Sequence, residues 1–247
     1  MLQLNHVTFA CEDSRALAEF WAAVLRYDTE PSDNDCFARG DGPELFFKKM
    51  PKSPTIELPI HLDVNVPDRE AEVQRLLGLG ARLVTTKTEV IGELTETFTI
   101  LRDPEGNGFC VQPDPRTERP YVGNVTFSCA APRKLGAFWS EALGWPEQVA
   151  PEDFLQMLWD AGLDRAQYEA YYAALSPDGS RPRFLFQRRE KSRPESYPIH
   201  LDFVTDDREA EIRRLERIGA TVEETKTAGD RTWTVMRDPE ANPFCVE

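Results

Sequence analysis

The sequence lacks the features that would place it in several common classes of protein. Its five cysteines are an odd number and include no CxxC pair, which argues against both a disulfide framework and a zinc knuckle. No apolar run approaches the roughly 18 residues of a membrane-spanning helix. Basic residues are scarce, with 29 Lys and Arg against 43 Asp and Glu, so the net charge of −14 should repel nucleic-acid backbones and anionic membrane surfaces. We therefore expect a soluble, cytoplasmic protein with no nucleic-acid or membrane partner.

The most informative positive feature is an internal repeat. The segment Pro-Ile-His-Leu-Asp occurs at 59–63 and again at 198–202. Each copy is followed by Asp-Arg-Glu-Ala-Glu, then by Gly-Ala, and finally by Arg-Asp-Pro-Glu with Asn and Phe-Cys-Val behind it. A duplication within 247 residues predicts two domains, each large enough to bury a core. We place the first domain at 1–113, a proline-containing linker at 114–120 and the second domain at 121–247.

Hydrophobic periodicity divides each half into two βαβββ modules. Residues 5–11 alternate like a strand, and Ser14 is the predicted N-cap of a helix to about Leu25 whose apolar stripe covers that strand. Residues 60–66 and 68–79 repeat this strand and helix, and three strands follow them. The second half keeps the order but has an insert at about 149–182, for which we predict short helices at 154–159 and 165–175. The sequence thus predicts an α+β fold of four βαβββ modules.

These modules resemble those of the vicinal oxygen chelate superfamily, and within it the glyoxalase-like and bleomycin-resistance-like proteins. The resemblance is carried by a Phe-Trp pair on the first helix of each half and by the Asp-Pro-Glu turn that precedes Phe-Cys-Val, and it covers nearly the whole chain outside the linker and the insert. It implies that the modules pair into two U-shaped, partly open barrels, each with a concave cleft for a small molecule and, in some relatives, a divalent metal ion. Since such a fold supports many activities, the function has to be argued from the site.

The resemblance also suggests where metal ligands would lie, on the first and last strands of the modules. Carried over by position, the candidates are His6, His61, Asn124 and His200 on first strands, with Gln112 and Glu247 on last strands. If each half forms its own cleft, both ligand sets are incomplete. If the first quarter pairs with the fourth, one cleft gathers His6, His200 and Glu247, and the other is left with a degenerate set of His61, Gln112 and Asn124.

The set with two histidines and one carboxylate would suit one Zn, Ni, Mn or Fe ion. A metal-free cleft is the alternative, with the histidines hydrogen-bonded inside the barrel. Asp63 and Asp202, on the same strand faces as His61 and His200, are predicted to act as an acid or base or to orient a loop.

Two functions are compatible with these residues. The simpler is the binding or sequestration of a small aromatic or oxygen-rich metabolite. The other is a metal-dependent lyase, isomerase or dioxygenase, in which Glu247 is the best candidate for a catalytic base. Trp159, Tyr168 and Tyr172 in the insert are predicted to form a lid over one cleft or to pack against the linker. Since duplication often replaces the dimer of single-length relatives, we expect a monomer or a loose homodimer.

Overall fold

The computed structural model describes residues 2–51, 59–91, 94–166, 168, 172–175, 182–189 and 198–247. The strands of the first half are β1 (Gln3–Cys11), β2 (Asp28–Ser32), β3 (Asp35–Arg39), β4 (Glu44–Lys49), β5 (Ile60–Val66), β6 (Arg82–Ile91), β7 (Leu94–Arg102) and β8 (Gly108–Pro113). Those of the second half are β9 (Tyr121–Cys129), β10 (Tyr172–Leu175), β11 (Arg183–Arg188), β12 (Ile199–Val204), β13 (Thr221–Ala228), β14 (Arg231–Arg237) and β15 (Pro243–Val246). The helices are α1 (Ser14–Leu25), α2 (Arg69–Gly78), α3 (Pro132–Leu143), α4 (Glu152–Asp160) and α5 (Arg208–Arg217).

The strands form two open, mixed sheets, and each sheet is built from both halves of the chain. The eight-stranded sheet has the order β13-β14-β15-β12-β1-β4-β3-β2, so it joins the first quarter to the fourth. The seven-stranded sheet has the order β10-β11-β9-β5-β8-β7-β6 and joins the second quarter to the third. The predicted α+β fold is confirmed, and the quarters pair across the halves. The division into two domains joined at 114–120 stays a prediction, and each sheet combines strands from both predicted domains.

Each helix that carries the Phe-Trp pair holds the two sheets together. Trp21 on α1 packs on Phe9 of the eight-stranded sheet, with ring centroids 5.3 Å apart, and on Phe109 of the seven-stranded sheet at 5.0 Å. Trp139 on α3 repeats the arrangement, at 5.8 Å from Phe127 of the seven-stranded sheet and 5.1 Å from Phe244 of the eight-stranded sheet. Both tryptophans are only 1% exposed. The core therefore lies between the sheets, and the faces away from it are free for a site.

The Arg-Asp-Pro-Glu turns attach these helices to the sheets. In the second half, the Asp238 carboxylate accepts hydrogen bonds from Trp139 Nε1 at 3.3 Å and from Asn242 Nδ2 at 2.7 Å. The carboxylate of Glu240 accepts from the backbone N–H groups of Ala130 and Ala131 just before α3. Asp103 and Glu105 occupy the corresponding positions in the first half. The repeated motif thus has a structural role, which is to fix the helix of each half to the turn before the last strand.

Two local predictions are wrong. The N-cap of α1 is Asp13, whose side chain accepts from the Ala16 N–H at 3.0 Å, whereas the Ser14 hydroxyl donates to the backbone of Asn34. In the insert, α4 confirms the helix predicted at 154–159, but residues 172–175 form strand β10 because they pair with β11 at the edge of the sheet. Of the helix predicted at 165–175, residues 167 and 169–171 lie outside the described part of the chain, and residues 165, 166 and 168 are helical.

All five cysteines are buried, and they form no disulfide within the described residues. Over the described residues, no helix is both long and apolar enough to cross a membrane.

Candidate functional site

The two Pro-Ile-His-Leu-Asp strands lie at the centre of the two sheets, each paired with a first strand. In the eight-stranded sheet, β12 runs antiparallel to β1, which places Asp202 opposite His6 and His200 opposite Thr8. In the seven-stranded sheet, β5 pairs with β9 in the same way, with Asp63 opposite Asn124 and His61 opposite Thr126. We call the face bearing His6, His200, Asp202 and Glu247 the first cleft. The face bearing His61, Asp63, Gln112 and Asn124 is the second cleft.

The first cleft converges on the carboxylate of Asp202. His6 Nε2 lies 3.5 Å from Asp202 Oδ2 and His200 Nε2 lies 3.4 Å from the same oxygen, which also accepts a hydrogen bond from the Thr8 hydroxyl. Asp202 is 6% exposed. The structure thus brings the two predicted histidines together from opposite ends of the chain, and a carboxylate that the sequence had left ambiguous links them.

Burial and charge set the protonation of this cluster. Burial alone would raise the pKa of Asp202, but the charge and hydrogen bond of His200, followed by those of His6 and Thr8, outweigh it and hold that pKa at about 2. Burial lowers the pKa of His6 below 6.5, although Asp202 and Glu247 act in the opposite direction. At neutral pH, Asp202 is therefore ionised, and His6 is a neutral imidazole that can accept a hydrogen bond or coordinate a metal ion.

Glu247 lies at the side of the first cleft and faces an arginine. Its carboxylate oxygens accept hydrogen bonds from Arg231 Nη2 at 2.8 and 3.0 Å. Its backbone is fastened to β12, because its N–H donates to Phe203 O at 2.9 Å and its carbonyl accepts from the Thr205 N–H at 3.1 Å. The Glu247 charge reaches His6 electrostatically. The last residue is thus held in place, but Asp202 is the carboxylate that both imidazoles contact.

The first cleft is concave and partly aromatic. Phe37 and Phe46 stack with centroids 4.5 Å apart, and both present ring edges to His6, at 5.9 and 5.2 Å. Lys48 Nζ on β4 lies 5.5 Å from the Trp233 ring on β14. These two strands are four positions apart in the sheet, which would separate them by about 19 Å if the sheet were flat. The sheet therefore curls, and Lys48 reaches across the cleft toward Trp233.

The second cleft is a changed copy of the first. His61 Nε2 lies 3.3 Å from Asp63 Oδ1, while Asp63 Oδ2 accepts hydrogen bonds from Asn124 Nδ2 at 2.9 Å and the Thr126 hydroxyl at 2.7 Å. Arg183 Nε donates to Asn124 Oδ1 at 3.0 Å. Burial alone would raise the pKa of Asp63, but His61 and then the Asn124 and Thr126 hydrogen bonds hold it below its usual value.

Gln112 lies half-buried on β8, opposite Asn65 of β5. Strand β5 separates β8 from β9, the strand that carries Asn124. The second cleft therefore has the amide of Asn124 at the position of His6 and the amide of Gln112 at the position of Glu247.

Two of the three predicted lid residues contact each other, and the third lies on the edge strand of the seven-stranded sheet. Trp159 on α4 and Tyr168 make an edge-to-face contact at 6.0 Å, and both are half-buried. Tyr172 begins β10, and its side chain is outside the described part of the structure. Since β10 pairs with β11, which pairs with the strand that carries Asn124, the insert is attached on the side of the second cleft. Its role as a lid stays a prediction.

Two imidazole nitrogens of the first cleft lie at the spacing of neighbouring metal ligands from one carboxylate oxygen. Around an ion with bonds of about 2.1 Å in a tetrahedral arrangement, neighbouring ligand atoms are about 3.4 Å apart. The two separations of 3.5 and 3.4 Å between imidazole nitrogens and Asp202 Oδ2 match this spacing. The ligand atoms of His200, Asp202 and Cys245 all lie within 4.8 Å of one another, and His6 lies at the same oxygen of Asp202, so these residues could hold the ion.

The variant His6→Asn, which copies Asn124, should reduce the pH dependence of stability. Burial lowers the pKa of His6 in the folded protein, so near pH 6.5 the unfolded chain binds a proton that the folded protein does not. The free energy of unfolding of the wild-type protein therefore falls as the pH drops through that value. Each pH unit over which only the unfolded chain is protonated contributes about 1.4 kcal/mol. Urea titrations in chelator at pH 7.5 and 5 should show a smaller loss for the variant. Equal losses would mean that His6 titrates alike in both states.

Comparison with known proteins agrees with this architecture. The sequence model of a family described as a glyoxalase-like domain matches residues 6–112 and 124–247. The fold is similar to that of glyoxalase I from Zea mays, with a TM-score of 0.69 at 12% identity, over 100% of this chain and 92% of that one. It is also similar to a putative dioxygenase from Bacillus subtilis subsp. subtilis str. 168, with a TM-score of 0.65 at 13% identity, over 98% and 84% of the chains. No curated protein sequence matches the chain. At these identities, the two structures show a shared fold.

Proposed function

The chain belongs to the glyoxalase-like domain family, and from that premise we propose that it binds a small aromatic or oxygen-rich molecule in its first cleft. The observation that carries the proposal is the contrast between the cleft's wall and its base. The wall is the stacked pair Phe37 and Phe46, and the base is the buried cluster of His6, His200 and Asp202. Apolar walls with a few convergent polar groups are typical of small-molecule sites. The wall would accept a ring or an apolar skeleton, and the base would orient its oxygen atoms.

The residues of the cleft have separate roles in this proposal. The His6 and His200 rings can donate to hydroxyl and carbonyl oxygens, and the neutral His6 ring can also accept from a hydroxyl group, while the ionised Asp202 keeps both rings oriented. Lys48 lies across the mouth and offers a positive charge to an anionic or enolic oxygen. Trp233 beside it would stack on a ligand that displaces the lysine.

Ligand binding can be tested with a variant pair at matched positions. Phe46 lies opposite Thr8 on β1, and Leu185 lies opposite Thr126 on β9, so the two occupy equivalent places in the two clefts. We expect a thermal-shift screen of hydroxylated aromatic acids, diketones and sugar acids to give stabilising compounds. Phe46→Ala should abolish the shift, whereas Leu185→Ala should keep it. A shift that depends on Leu185 and not on Phe46 would move the site to the second cleft.

Metal-dependent catalysis is the second candidate, and the spacing of the donor atoms around Asp202 favours it. A divalent ion bound there would polarise adjacent oxygen atoms of a substrate. His6 and His200 would hold it, and Glu247, oriented by Arg231, would accept or return a substrate proton at a carboxylate oxygen. The reaction class in this proposal is a lyase, isomerase or dioxygenase step.

Metal analysis separates the two candidates. We expect protein purified without chelator to contain Zn, Ni, Mn or Fe in the first cleft and His200→Ala to lose about one equivalent. His61→Ala, at the matched position of the second cleft, should keep that equivalent. If His200→Ala retains the full metal content of the wild-type protein, the metal-free binder is the better description of the first cleft.

We also propose a monomer or a loose homodimer that acts in the cytoplasm. Support for the monomer comes from the sheets, because each is completed within one chain by pairing quarters from opposite halves. Light scattering of the purified protein measures this directly.

A further inference from the structure

A second group of potential metal ligands lies in the second cleft, away from the site proposed above. His61 and Asp63 lie on the same face of β5, and Cys110 lies opposite Asp63 on β8. An imidazole nitrogen, a carboxylate oxygen and the thiol sulfur of these residues all lie within 4.8 Å of one another. The three residues are 8%, 1% and 6% exposed.

The two oxygens of Asp63 have different environments. Oδ2 is occupied by the hydrogen bonds from Asn124 and Thr126. Oδ1 is fully buried and makes no well-formed hydrogen bond within the described residues, and it points toward His61 Nε2 at 3.3 Å and the thiol of Cys110. A buried carboxylate oxygen left in this way is costly unless it is paired or coordinates a metal. The unsatisfied atom is aimed at the centre of the group.

We propose that His61, Asp63 and Cys110 bind one divalent cation that favours sulfur and nitrogen ligands, with Zn²⁺ as the representative ion. One imidazole nitrogen, one carboxylate oxygen and one thiolate are three ligands of the kinds that Zn²⁺ takes in proteins. Binding displaces the thiol proton of Cys110 to solvent and involves no oxidation or reduction. The low exposure of all three residues makes this a site that braces β5 against β8.

The pattern of hydrogen bonds explains why the two clefts would differ. In the first cleft, the imidazoles of His6 and His200 both face Asp202 Oδ2, so a cation would bind on the side of Asp202 that faces His6. In the second cleft, Asn124 stands at the position of His6 and occupies the corresponding side of Asp63 with an N–H donor. Among the described residues, the remaining oxygen of Asp63 faces His61 and Cys110. Burial and the neighbouring Asp63 carboxylate raise the pKa of the Cys110 thiol well above its usual value, and the charges of Arg189 and Lys87 offset only part of this. The cation itself would therefore displace the thiol proton on binding.

Cobalt substitution tests this site independently of ligand binding in the first cleft. Chelator-treated protein reloaded with Co²⁺ should show the charge-transfer absorption of a thiolate–cobalt bond. Cys110→Ser should lose the band, and Cys245→Ser, at the matched position of the first cleft, should keep it. His200→Ala should also keep it, so failure of the first-cleft proposal is distinguishable from failure of this one.

Three results would overturn the proposal: absence of the band in the wild-type protein, its loss in Cys245→Ser with retention in Cys110→Ser, and its retention in both. Should Cys110→Ser fail to fold, His61→Asn provides a second variant. It keeps a polar group of similar reach, and we expect it to weaken Zn²⁺ binding at this site at least tenfold while far-ultraviolet circular dichroism stays unchanged. Zn²⁺ binding as tight as in wild type would then count against the site.

Discussion

Replacing Asp238 by Ala should lower the free energy of unfolding by about 3 kcal/mol. The carboxylate accepts four hydrogen bonds, from Trp139 Nε1, from both nitrogens of Asn242 and from the Glu240 N–H. Leaving a buried donor unsatisfied costs about 1 to 3 kcal/mol, and the Trp139 and Asn242 side chains are both buried. Burial raises the pKa of Asp238, so the ionised carboxylate is itself costly and its removal offsets part of the loss.

Chemical denaturation at pH 7 measures this loss. The exposed Asp206 is the control, since its replacement by Ala should change stability by less than about 0.5 kcal/mol. Asp103→Ala, at the matched turn of the first half, should have a similar effect, because it removes the hydrogen-bond acceptor of Trp21 Nε1 and Asn107 Nδ2. If both variants lower the free energy of unfolding by less than about 1 kcal/mol, the hydrogen bonds between helix and turn contribute little to stability.

The variant Asp202→Asn should weaken divalent-ion binding in the first cleft by about 100-fold. The amide keeps the shape of the side chain but removes the negative charge that both His6 and His200 face. Loss of a ligand or of a group that orients ligands typically costs 10- to 100-fold in metal affinity. The upper end is expected here because Asp202 is deeply buried, where its charge is little screened.

Isothermal titration of chelator-treated protein with Zn²⁺ gives the affinity, and Asp63→Asn is the matched control. It should spare the first cleft and abolish the thiolate–cobalt band of the second. If Asp202→Asn binds the ion as tightly as wild type, then Asp202 only holds the two strands together and Glu247 would be the carboxylate ligand.

The His61 and His200 strands show how far the repeat alone could be interpreted. Repetition identified both histidines and placed them with His6 on strand faces away from the helices, and the structure agrees. It did not single out Asp202 and Asp63 as the centres of the clusters. The signal was present, because an aspartate two residues after each histidine must share its strand face. Which carboxylate the imidazoles contact depends on the neighbouring strand, and a single strand's pattern does not contain that information.

The sequence by itself determined the duplication, the α+β fold and the family, because these depend on periodicity and on residue types repeated at matched positions. Only the tertiary structure decided that the first quarter pairs with the fourth, that Lys48 crosses to Trp233, and that residues 172–175 form an edge strand. Each of these depends on contacts between segments far apart in the chain. Either pairing of the quarters would bury the same apolar faces, so the pattern of apolar residues alone does not distinguish them.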